Sequence, residues 1–395
     1  MLAVLATLAL SEVEATFWDV VVVGAGCAGS IAARQLALGG AKVLLVDKAS
    51  FPRWKVCGCC IGRPTQNVLA RIGLGSLLTD CGAVPADTFH VALKGRSADI
   101  ALPGYFLLSR ERLDAELVRS AISSGSHFLP KTQATLLESH KDHRTVTLRS
   151  DDKQTTIRAK IVIAADGLGS RLLRSTEDFD SVARTDSRIG GGTVASRAPA
   201  SYEPGVIYMA CSKNGYVGSG RIEDGRLVLA SACDPEYVKS SGGLAAASSA
   251  ILAEAGFAPV PDIHEIHWRG TPALTRKATK LASHRAFVVG DAAGYVEPFT
   301  GEGMKWAICS SVALASIVLR ALLGYEQRFE LEWERKYREI VTSDQATCQL
   351  LAAGLRWPKL LSAALSIVSV APIVAAPFVS RLNTHVPCQQ EVTQP

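Results

Sequence analysis

The chain has 395 residues, of which 48% are hydrophobic and 20% are charged, and its formal net charge is +5. This length exceeds a single ordinary core and fits two structural domains, and the composition excludes a largely disordered chain. The basic residues are spread along the sequence without a concentrated run, so the charge predicts no nucleic-acid partner. Ten cysteines in a chain of this length are not a disulfide scaffold, and we therefore expect a cytoplasmic protein.

The chain opens with an apolar segment and a strand–helix–strand unit. Met1 to Leu10 has no basic leader and is followed directly by acidic residues, so we expect a loosely attached extension rather than a targeting signal. Asp19 to Val23 is a β-branched run typical of a buried strand, Ser30 to Leu38 has the pattern of a helix, and Lys42 to Val46 is a second strand. This crossover implies a parallel sheet.

A glycine-rich turn joins the first strand to the helix. Gly24, Gly26 and Gly29 form a G-x-G-x-x-G pattern, in which the first glycine permits a tight turn. The second glycine lets the backbone approach a pyrophosphate, and the third lets the helix pack closely on the sheet. Asp47 ends the second strand, where its carboxylate can bind a ribose diol. The unit therefore predicts a dinucleotide site, with the phosphates at the positive helix N-terminus.

Two later strands also end in short polar turns. Lys160 to Ala165 runs into Asp166-Gly167, and Arg285 to Gly290 runs into Asp291. Asp166 can order a ribose or an arginine near a dinucleotide, or it can serve as a helix cap. Asp291 suits a sugar hydroxyl, and a long apolar helix from Gly303 to Leu323 directs its N-terminus at the same turn.

Between these strands, residues 189–268 form short alternating runs broken by glycines, which predicts an inserted antiparallel sheet. The predicted fold is α/β with α+β character: a Rossmann-like dinucleotide-binding domain with a parallel sheet, an inserted antiparallel-sheet domain and C-terminal helices. The predicted ranges are 17–80, 105–182 and 273–345 for the dinucleotide-binding domain, 81–104 and 183–272 for the substrate domain, and 346–395 for a C-terminal helical tail.

The tail carries no charge from Leu360 to Ser380. By length it nearly reaches the ~20 apolar residues that span a bilayer, but Pro372 and Pro377 interrupt it. We therefore expect two short packed helices. A peripheral, membrane-touching surface is the alternative, because basic residues flank the apolar run.

Together, the three glycine-lined strand ends resemble the FAD-dependent oxidoreductases that share the fold of p-hydroxybenzoate hydroxylase. The resemblance covers roughly Asp19 to Trp306 and implies that the glycine loop holds the ADP half of FAD, that Asp166-Gly167 serves FAD and the nicotinamide donor, and that Gly290-Asp291 holds the ribityl chain. Arg110 matches a superfamily position near the cofactor. The residues assigned to FAD on this basis are Gly24, Gly26, Cys27, Ala28, Gly29, Asp47, Lys48, Lys55, Val56, Cys57, Arg110, Asp166, Gly167, Gly290, Asp291, Gly301, Glu302, Gly303 and Met304.

A narrower resemblance follows from the run Phe51 to Gly58, with its Pro-Arg-x-Lys-x-Cys-Gly pattern, and from the Pro-x-Thr-Gly-Glu-Gly string that contains Glu302. Both look like the geranylgeranyl reductase branch, which implies that Cys57 and Gly58 lie beside the isoalloxazine ring and are the candidate catalytic residues. The branch's Tyr-x-Trp-x-Phe-Pro strand is absent, and residues 215–220 stand in its place. The superfamily's hydroxylases usually carry histidine where this chain has Gly294.

The cluster Cys57, Cys59 and Cys60 has three interpretations. A zinc site would need further ligands, and the sequence offers no second cysteine pair, so no metal is predicted. A redox-active dithiol is one alternative. Small side chains that line a flavin pocket are the interpretation we favour.

These features predict NADPH- or NADH-dependent flavin chemistry on a bulky apolar or aromatic small molecule. Hydroxylation is slightly favoured, because it is the commoner outcome on this fold. Reduction of a carbon–carbon double bond is the alternative, and a flavin halogenase ranks lower because its Trp-x-Trp-x-Ile-Pro string is missing. An interpretation from a different functional class is a flavin-binding protein that catalyses no turnover and acts through its apolar tail. Glu302 is expected to brace its turn rather than to act as a base.

Overall fold

The computed structural model describes residues 2–297, 299 and 301–384. The α-helices are α1 (Leu10–Glu14), α2 (Cys27–Leu38), α3 (Arg63–Arg71), α4 (Leu77–Asp80), α5 (Arg110–Ser123), α6 (Pro235–Ser240), α7 (Leu244–Ala255), α8 (Gly303–Leu323), α9 (Arg328–Gly354), α10 (Pro358–Val370) and α11 (Ala376–Thr384). Short 3-10 helices cover Leu173–Ser175, Gly290–Ala292 and Pro372–Ala375.

The strands are β1 (Phe17–Val23), β2 (Val43–Val46), β3 (Cys60–Ile61), β4 (Val84–Leu93), β5 (Arg96–Leu107), β6 (His127–Leu129), β7 (Gln133–Ser139), β8 (Arg144–Ser150), β9 (Lys153–Ala164), β10 (Ser181–Ala183), β11 (Ile189–Ala195), β12 (Val206–Ser212), β13 (Gly215–Arg221), β14 (Leu227–Cys233), β15 (Arg269–Ala273), β16 (Arg276–Ala278), β17 (Ala282–Ser283), β18 (Ala286–Val288) and β19 (Gly294–Tyr295).

The first sheet has a parallel centre. β1 lies between β2 and β9, while β6 and β18 extend these pairs on either side, all in parallel. β7, β8 and β17 add antiparallel strands at its margins. The central strands are continuous apolar runs because both faces of a parallel sheet are covered, and Val20 to Val22 are fully buried. The predicted Rossmann-like sheet is confirmed.

The second sheet follows the order β15-β11-β14-β13-β12-β4-β5-β3 and is antiparallel except where β12 pairs with β4. Its strands β11 to β14 fall inside the stretch from which the sequence predicted an antiparallel sheet. α7 packs on one face through Ala247 and Ile251, which share a core with Val217 and Leu229. The opposite face is left for the cavity described below. β3 pairs with this sheet although it lies in range 17–80; the domain ranges themselves stay a prediction.

The N-terminal segment differs from the loosely attached extension that the sequence indicated. The Val4 backbone N–H donates to the Phe51 carbonyl at 3.0 Å, and the Thr7 N–H donates to the Phe128 carbonyl at 3.0 Å. Val13 is fully buried. The segment is therefore tied down at Val4 and Thr7 by backbone hydrogen bonds, although most of its side chains remain exposed, Leu2 and Leu5 among them.

The C-terminal region contains the two short helices predicted there, α10 and α11. α8 has the length and apolarity of a membrane-spanning helix, but 72% of its most apolar stretch is buried inside the protein, where it packs against α2. The end of α9 and α10 together also reach that apolarity, yet they are bent by 104° at the break between them.

One buried tryptophan ties α9 to the first sheet. Trp333 is fully buried, and its indole N–H donates to the Val288 carbonyl at 3.0 Å. We expect Trp333→Phe to lower the free energy of unfolding by about 1–3 kcal/mol, because a buried carbonyl loses its partner. Trp357→Phe is the control: Trp357 is 66% exposed, and the change should stay within about 0.5 kcal/mol. Urea unfolding followed by circular dichroism measures both, and equal losses would contradict the assignment.

Candidate active site

The three glycines of the first turn meet different surroundings. Gly24 has φ +103°, and a Cβ there would lie 2.4 Å from the Ala165 carbonyl oxygen. A Cβ on Gly29 would lie 1.7 Å from the Gly24 oxygen. A Cβ on Gly26 would meet only the ends of two arginine side chains, at 3.5 and 3.7 Å. Gly24 and Gly29 are therefore required by the backbone, whereas Gly26 leaves an open cradle at the N-terminus of α2.

Those two arginines, Arg53 and Arg110, share one buried acid. The Asp114 carboxylate is fully buried and lies 2.9 Å from Arg110 Nη2 and 3.1 Å from Arg53 Nη1. Burial alone would raise the pKa of Asp114, but the charges of Arg110 and Arg53 hold that pKa below its ordinary value. The carboxylate is thus ionised and fixes both guanidinium groups beside the open cradle at Gly26, which suits a bound phosphate. The sequence analysis did not assign Arg53 or Asp114 to the site.

Both carboxylate oxygens of Asp47 accept hydrogen bonds from neighbouring backbone N–H groups. Its Oδ2 accepts a hydrogen bond from the Ala25 N–H and its Oδ1 accepts one from the Ala49 N–H, both at 2.8 Å. These bonds hold the glycine turn against the end of β2. The neighbouring Lys48 side chain is exposed. A ribose contact at Asp47 stays a prediction.

Asp166 combines its two expected roles. Its Oδ2 accepts hydrogen bonds from the backbone N–H groups of Arg171 and Leu172, at 2.8 and 3.1 Å, as a capping residue does. Its Oδ1 is buried and has no hydrogen-bond partner within the described part of the chain. Since a buried acceptor without a partner is costly, this oxygen is available to a donor on a ligand.

Lys55 connects the second and third turns. Its Nζ lies 3.3 Å from Asp291 Oδ2 and 3.6 Å from the point that a Cβ on Gly167 would occupy. Gly290, with φ +66°, approaches α2 so closely that a Cβ would lie 2.7 Å from the Ala28 Cβ. Three turns that are far apart in the sequence therefore meet at one edge of the first sheet.

The cysteine cluster has one activated member. The Cys59 backbone N–H donates to Cys57 Sγ at 3.3 Å. Hydrogen bonding from Cys59, opposed by burial and aided by the charge of Arg110, lowers the pKa of Cys57 to about 6. Burial raises the pKa of Cys60 to about 12, and it does the same for Cys27. Cys57 is therefore a thiolate at neutral pH, while Cys27 and Cys60 remain thiols.

The turn before α8 is held by buried charges. Glu302 and Lys305 are both buried and form an ion pair, and Lys305 Nζ also lies 2.8 Å from Asp344 on α9. Glu302 thus braces the turn, as the sequence indicated. A Cβ on Gly301 would lie 3.5 Å from the Cys60 Cβ, which places this turn against the cysteine cluster. Pro298 and Thr300, part of the motif used for the resemblance, lie outside the described residues.

A cavity of about 550 Å³ opens between the two sheets. The predicted site residues that line it are Gly26, Cys27, Ala28, Lys55, Val56, Cys57, Gly58, Arg110, Gly167, Asp291, Gly301, Gly303 and Met304. The predicted residues that do not line it are Gly24, Gly29, Asp47, Lys48, Asp166, Gly290 and Glu302. Most of the latter hold the turns in place from behind.

The far walls of the cavity are apolar and were not predicted. One wall is the free face of the second sheet, with Phe89, Val91, Ile100, Leu102 and Met209. The other is formed by residues 350–379, which we call the helical cap: the end of α9, α10, the Pro372–Ala375 turn and the start of α11. Apolar periodicity predicted these helices, but their position over a cavity depends on packing between distant segments.

One hydroxyl group on β13 belongs to the cavity side of the sheet. Tyr216 lines the cavity, and within the described residues its buried oxygen has no hydrogen-bond partner. Ser219 lies on the opposite face, where its register partners Tyr208 and Leu229 pack in the core under α7. Burial raises the pKa of Tyr216 well above its ordinary value, so the phenol stays protonated and can donate. Tyr216 lies on the strand that stands in place of the missing aromatic motif.

Comparison with known proteins agrees with this geometry. The model of the FAD binding domain family matches residues 18–333. The chain is 30% identical to digeranylgeranylglycerophospholipid reductase 1 of Methanothermobacter thermautotrophicus over 76% of this chain and 77% of that protein. It is 24% identical to conditioned medium factor receptor 1 of Dictyostelium discoideum, over 91% and 75%. The solved p-nitrophenol 4-monooxygenase of Pseudomonas putida superposes with a TM-score of 0.74 at 16% identity, covering 95% and 99%.

The chain therefore belongs to the FAD binding domain family, and it is an FAD-dependent oxidoreductase. The resemblance to geranylgeranyl reductases and to the monooxygenase fold is confirmed. The residues present fit FAD: an open cradle at Gly26, the Arg53 and Arg110 guanidinium groups beside it, and an unpaired buried oxygen on Asp166.

A substitution at Gly26 distinguishes an effect on FAD binding from an effect on folding. A methyl group there overlaps no backbone atom, so we expect Gly26→Ala to fold normally but to raise the Kd for FAD by about tenfold, the equivalent of ~1.4 kcal/mol. Gly324→Ala is the matched control, because a Cβ there meets nothing within 4 Å. Circular dichroism and flavin titration measure the two effects. Unchanged FAD affinity in Gly26→Ala would remove the cradle from the cofactor site.

The thiolate assignment predicts a pH profile. Because the pKa of Cys57 is lowered to about 6, its thiolate fraction and its alkylation rate should rise as pH increases through about 6 and then level off. Cys60, with its pKa raised to about 12, should stay unmodified and serves as the internal control. Peptide mass spectrometry after timed iodoacetamide treatment follows both sites. A Cys57 rate that still climbs near pH ~8.5 would show an ordinary thiol.

Proposed function

We propose that this protein uses FAD, reduced transiently by NADPH or NADH, to reduce carbon–carbon double bonds in the isoprenoid chain of a lipid. The observation that carries the proposal is the cavity, which begins at the glycine cradle and Cys57 and continues between two apolar walls. The similarity to a digeranylgeranylglycerophospholipid reductase over about three-quarters of both chains supports the same substrate class.

The apolar walls favour a long hydrocarbon over a small phenol. Pockets of about 300–1,000 Å³ with mainly apolar linings bury most of an apolar ligand, and a few polar groups fix its orientation. Here Phe89, Ile100 and Leu102 on one side face Leu361 and Leu365 on the other. We propose that an isoprenoid chain lies between them and excludes water from the reacting end.

The polar groups of the cavity have distinct proposed tasks. When bound and reduced by NADPH or NADH, FAD would supply hydride to one carbon of the double bond, and the other carbon would then need a proton. We propose that the protonated form of Cys57, a minority beside the thiolate at neutral pH because the pKa is lowered to about 6, delivers this proton. Tyr216 donates a hydrogen bond to a polar group of the substrate, which gives its unpaired oxygen a partner. Gly58 leaves open space beside Cys57, since a Cβ there meets nothing within 4 Å.

Hydroxylation is the second candidate. It is favoured by the superposition on a monooxygenase, which is a likeness of fold alone at 16% identity. The identity of 30% to the reductase is higher, and we therefore place reduction first. A flavin-binding protein without turnover is the third outcome that an experiment must separate.

Anaerobic turnover distinguishes the three. With NADPH and a geranylgeranyl phospholipid, we expect a product heavier by two hydrogens for each double bond reduced, and flavin absorbance that bleaches and then recovers. A product heavier by one oxygen, formed only in air, would establish hydroxylation instead. Bound flavin that neither NADPH nor NADH bleaches would indicate a protein without turnover. Mass spectrometry and visible absorbance give both readouts from one preparation.

Filling the cavity should shorten the substrate that it accepts. Met209 lines the cavity on β12, and Met209→Trp places a bulky ring in the proposed path of the chain. We expect kcat/KM for a twenty-carbon chain to fall about tenfold or more, which corresponds to ~1.4 kcal/mol, with FAD content unchanged. Met209→Leu conserves the volume and should stay close to wild type. Equal activity of Met209→Trp on long chains would contradict this placement of the substrate.

A further inference from the structure

The outer face of the helical cap is unusually apolar. Fifteen large hydrophobic side chains are exposed in the described part of the chain, and seven of them fall within residues 350–374. Their exposed fractions lie between 56% and 86%. The seven are Leu350, Trp357, Leu360, Ile367, Val370, Ile373 and Val374. Such a concentration on one surface marks a place of contact, whereas single exposed apolar residues elsewhere need no explanation.

The charges of the same region have one sign. From Gln345 to Gln390 the sequence contains no aspartate or glutamate, but it contains Arg356, Lys359 and Arg381. Lys359 is exposed at the bend between α9 and α10. Arg356 is anchored to the body of the protein, because its Nη1 lies 3.3 Å from Asp234 and its Nη2 donates to the Asp186 carbonyl. An apolar surface with a basic margin complements an anionic one.

The cap separates the cavity from the exterior by a single layer of helix. Leu361, Leu365 and Val368 line the cavity from the inside. Leu350 and Leu360 line it as well, yet they are 75% and 64% exposed. The cavity therefore reaches the outer face of the cap at Leu350 and Leu360, next to the exposed Trp357.

We propose that the helical cap docks in the plane of an anionic phospholipid bilayer. α10 has 13 residues, fewer than the ~20 that cross a bilayer, and the 104° bend at its start turns it away from α9. Helices with an apolar face and basic flanks lie in the interface and bury that face among the lipid chains. Basic residues near an anionic surface strengthen this binding.

A second copy of this chain fits the surface less well. A symmetric dimer would bring the exposed Lys359 of two caps together, with no acidic side chain between Gln345 and Gln390 to compensate it, and like charges oppose association. The proposed docking on lipid does not depend on which reaction the protein catalyses. A consequence that rests on the proposed function is that an isoprenoid lipid enters the cavity directly from the bilayer.

Sedimentation with vesicles tests the docking on the full-length holoprotein. We expect wild type to pellet with vesicles of phosphatidylcholine and phosphatidylglycerol, and to pellet less with phosphatidylcholine alone or at high salt. In the variant V370D/I373D, the charged side chains should weaken partitioning by about tenfold or more. The matched control L323D/L331D places the same charges on side chains that are 91% and 66% exposed outside the cap, and should bind as wild type does.

Two results would overturn the inference. One is that wild type stays in the supernatant with every vesicle, or that V370D/I373D pellets as well as wild type. The other is that wild type is dimeric without lipid and V370D/I373D is monomeric in analytical ultracentrifugation, which would assign the face to a second copy. Circular dichroism and flavin absorbance verify that each variant is folded and loaded. Because the readout is binding, a failed turnover assay on any substrate leaves this result unchanged.

Discussion

The backbone at Gly24 lies against the carbonyl of Ala165, and the space between them admits no side chain. This contact joins the ends of β1 and β9, and Gly29 brings the first turn of α2 against the same point. Gly290 then packs on Ala28 from the end of β18. The site depends on this close packing, because it fixes the three turns at one edge of the sheet and leaves Gly26 facing open space.

Charged side chains lie next to these closely packed glycine turns. Asp114 is fully buried, and a buried carboxylate persists only when it is paired, so both Arg53 and Arg110 are held within hydrogen-bonding reach of it. Arg110 also stabilises the thiolate of Cys57. A single buried acid therefore links the cradle at the start of α2 to the reactive sulfur on the cavity wall. Replacing that acid would release both functions together rather than one of them.

Much of this could be predicted from the sequence. The strand ends at Gly24, Asp166 and Asp291 carry local signals, and α8 begins and ends at Gly303 and Leu323, as its apolar run indicated. The pairing of Arg53 with Asp114 could not be predicted, because the two residues are distant along the chain and meet only in the fold. Only the spacing of Arg110 and Asp114, one helical turn apart, hinted at an ion pair.

The position of the cap was hidden for a similar reason, since composition gives the helices of residues 358–384 but not the surface on which they pack. Once that position is known, the apolar outer face of the cap can be related to the cavity on its inner side. Apolar side chains on a water-exposed layer are costly, and a protein with a closed cavity would gain by replacing Val370 and Ile373 with polar residues. Their presence on a layer whose inner side lines the cavity agrees with the proposal that the outer side meets an apolar phase. The ion pair of Lys305 with Asp344 ties α9, whose end begins the cap, to the turn before α8, so one helix connects the cofactor end of the cavity with the cap.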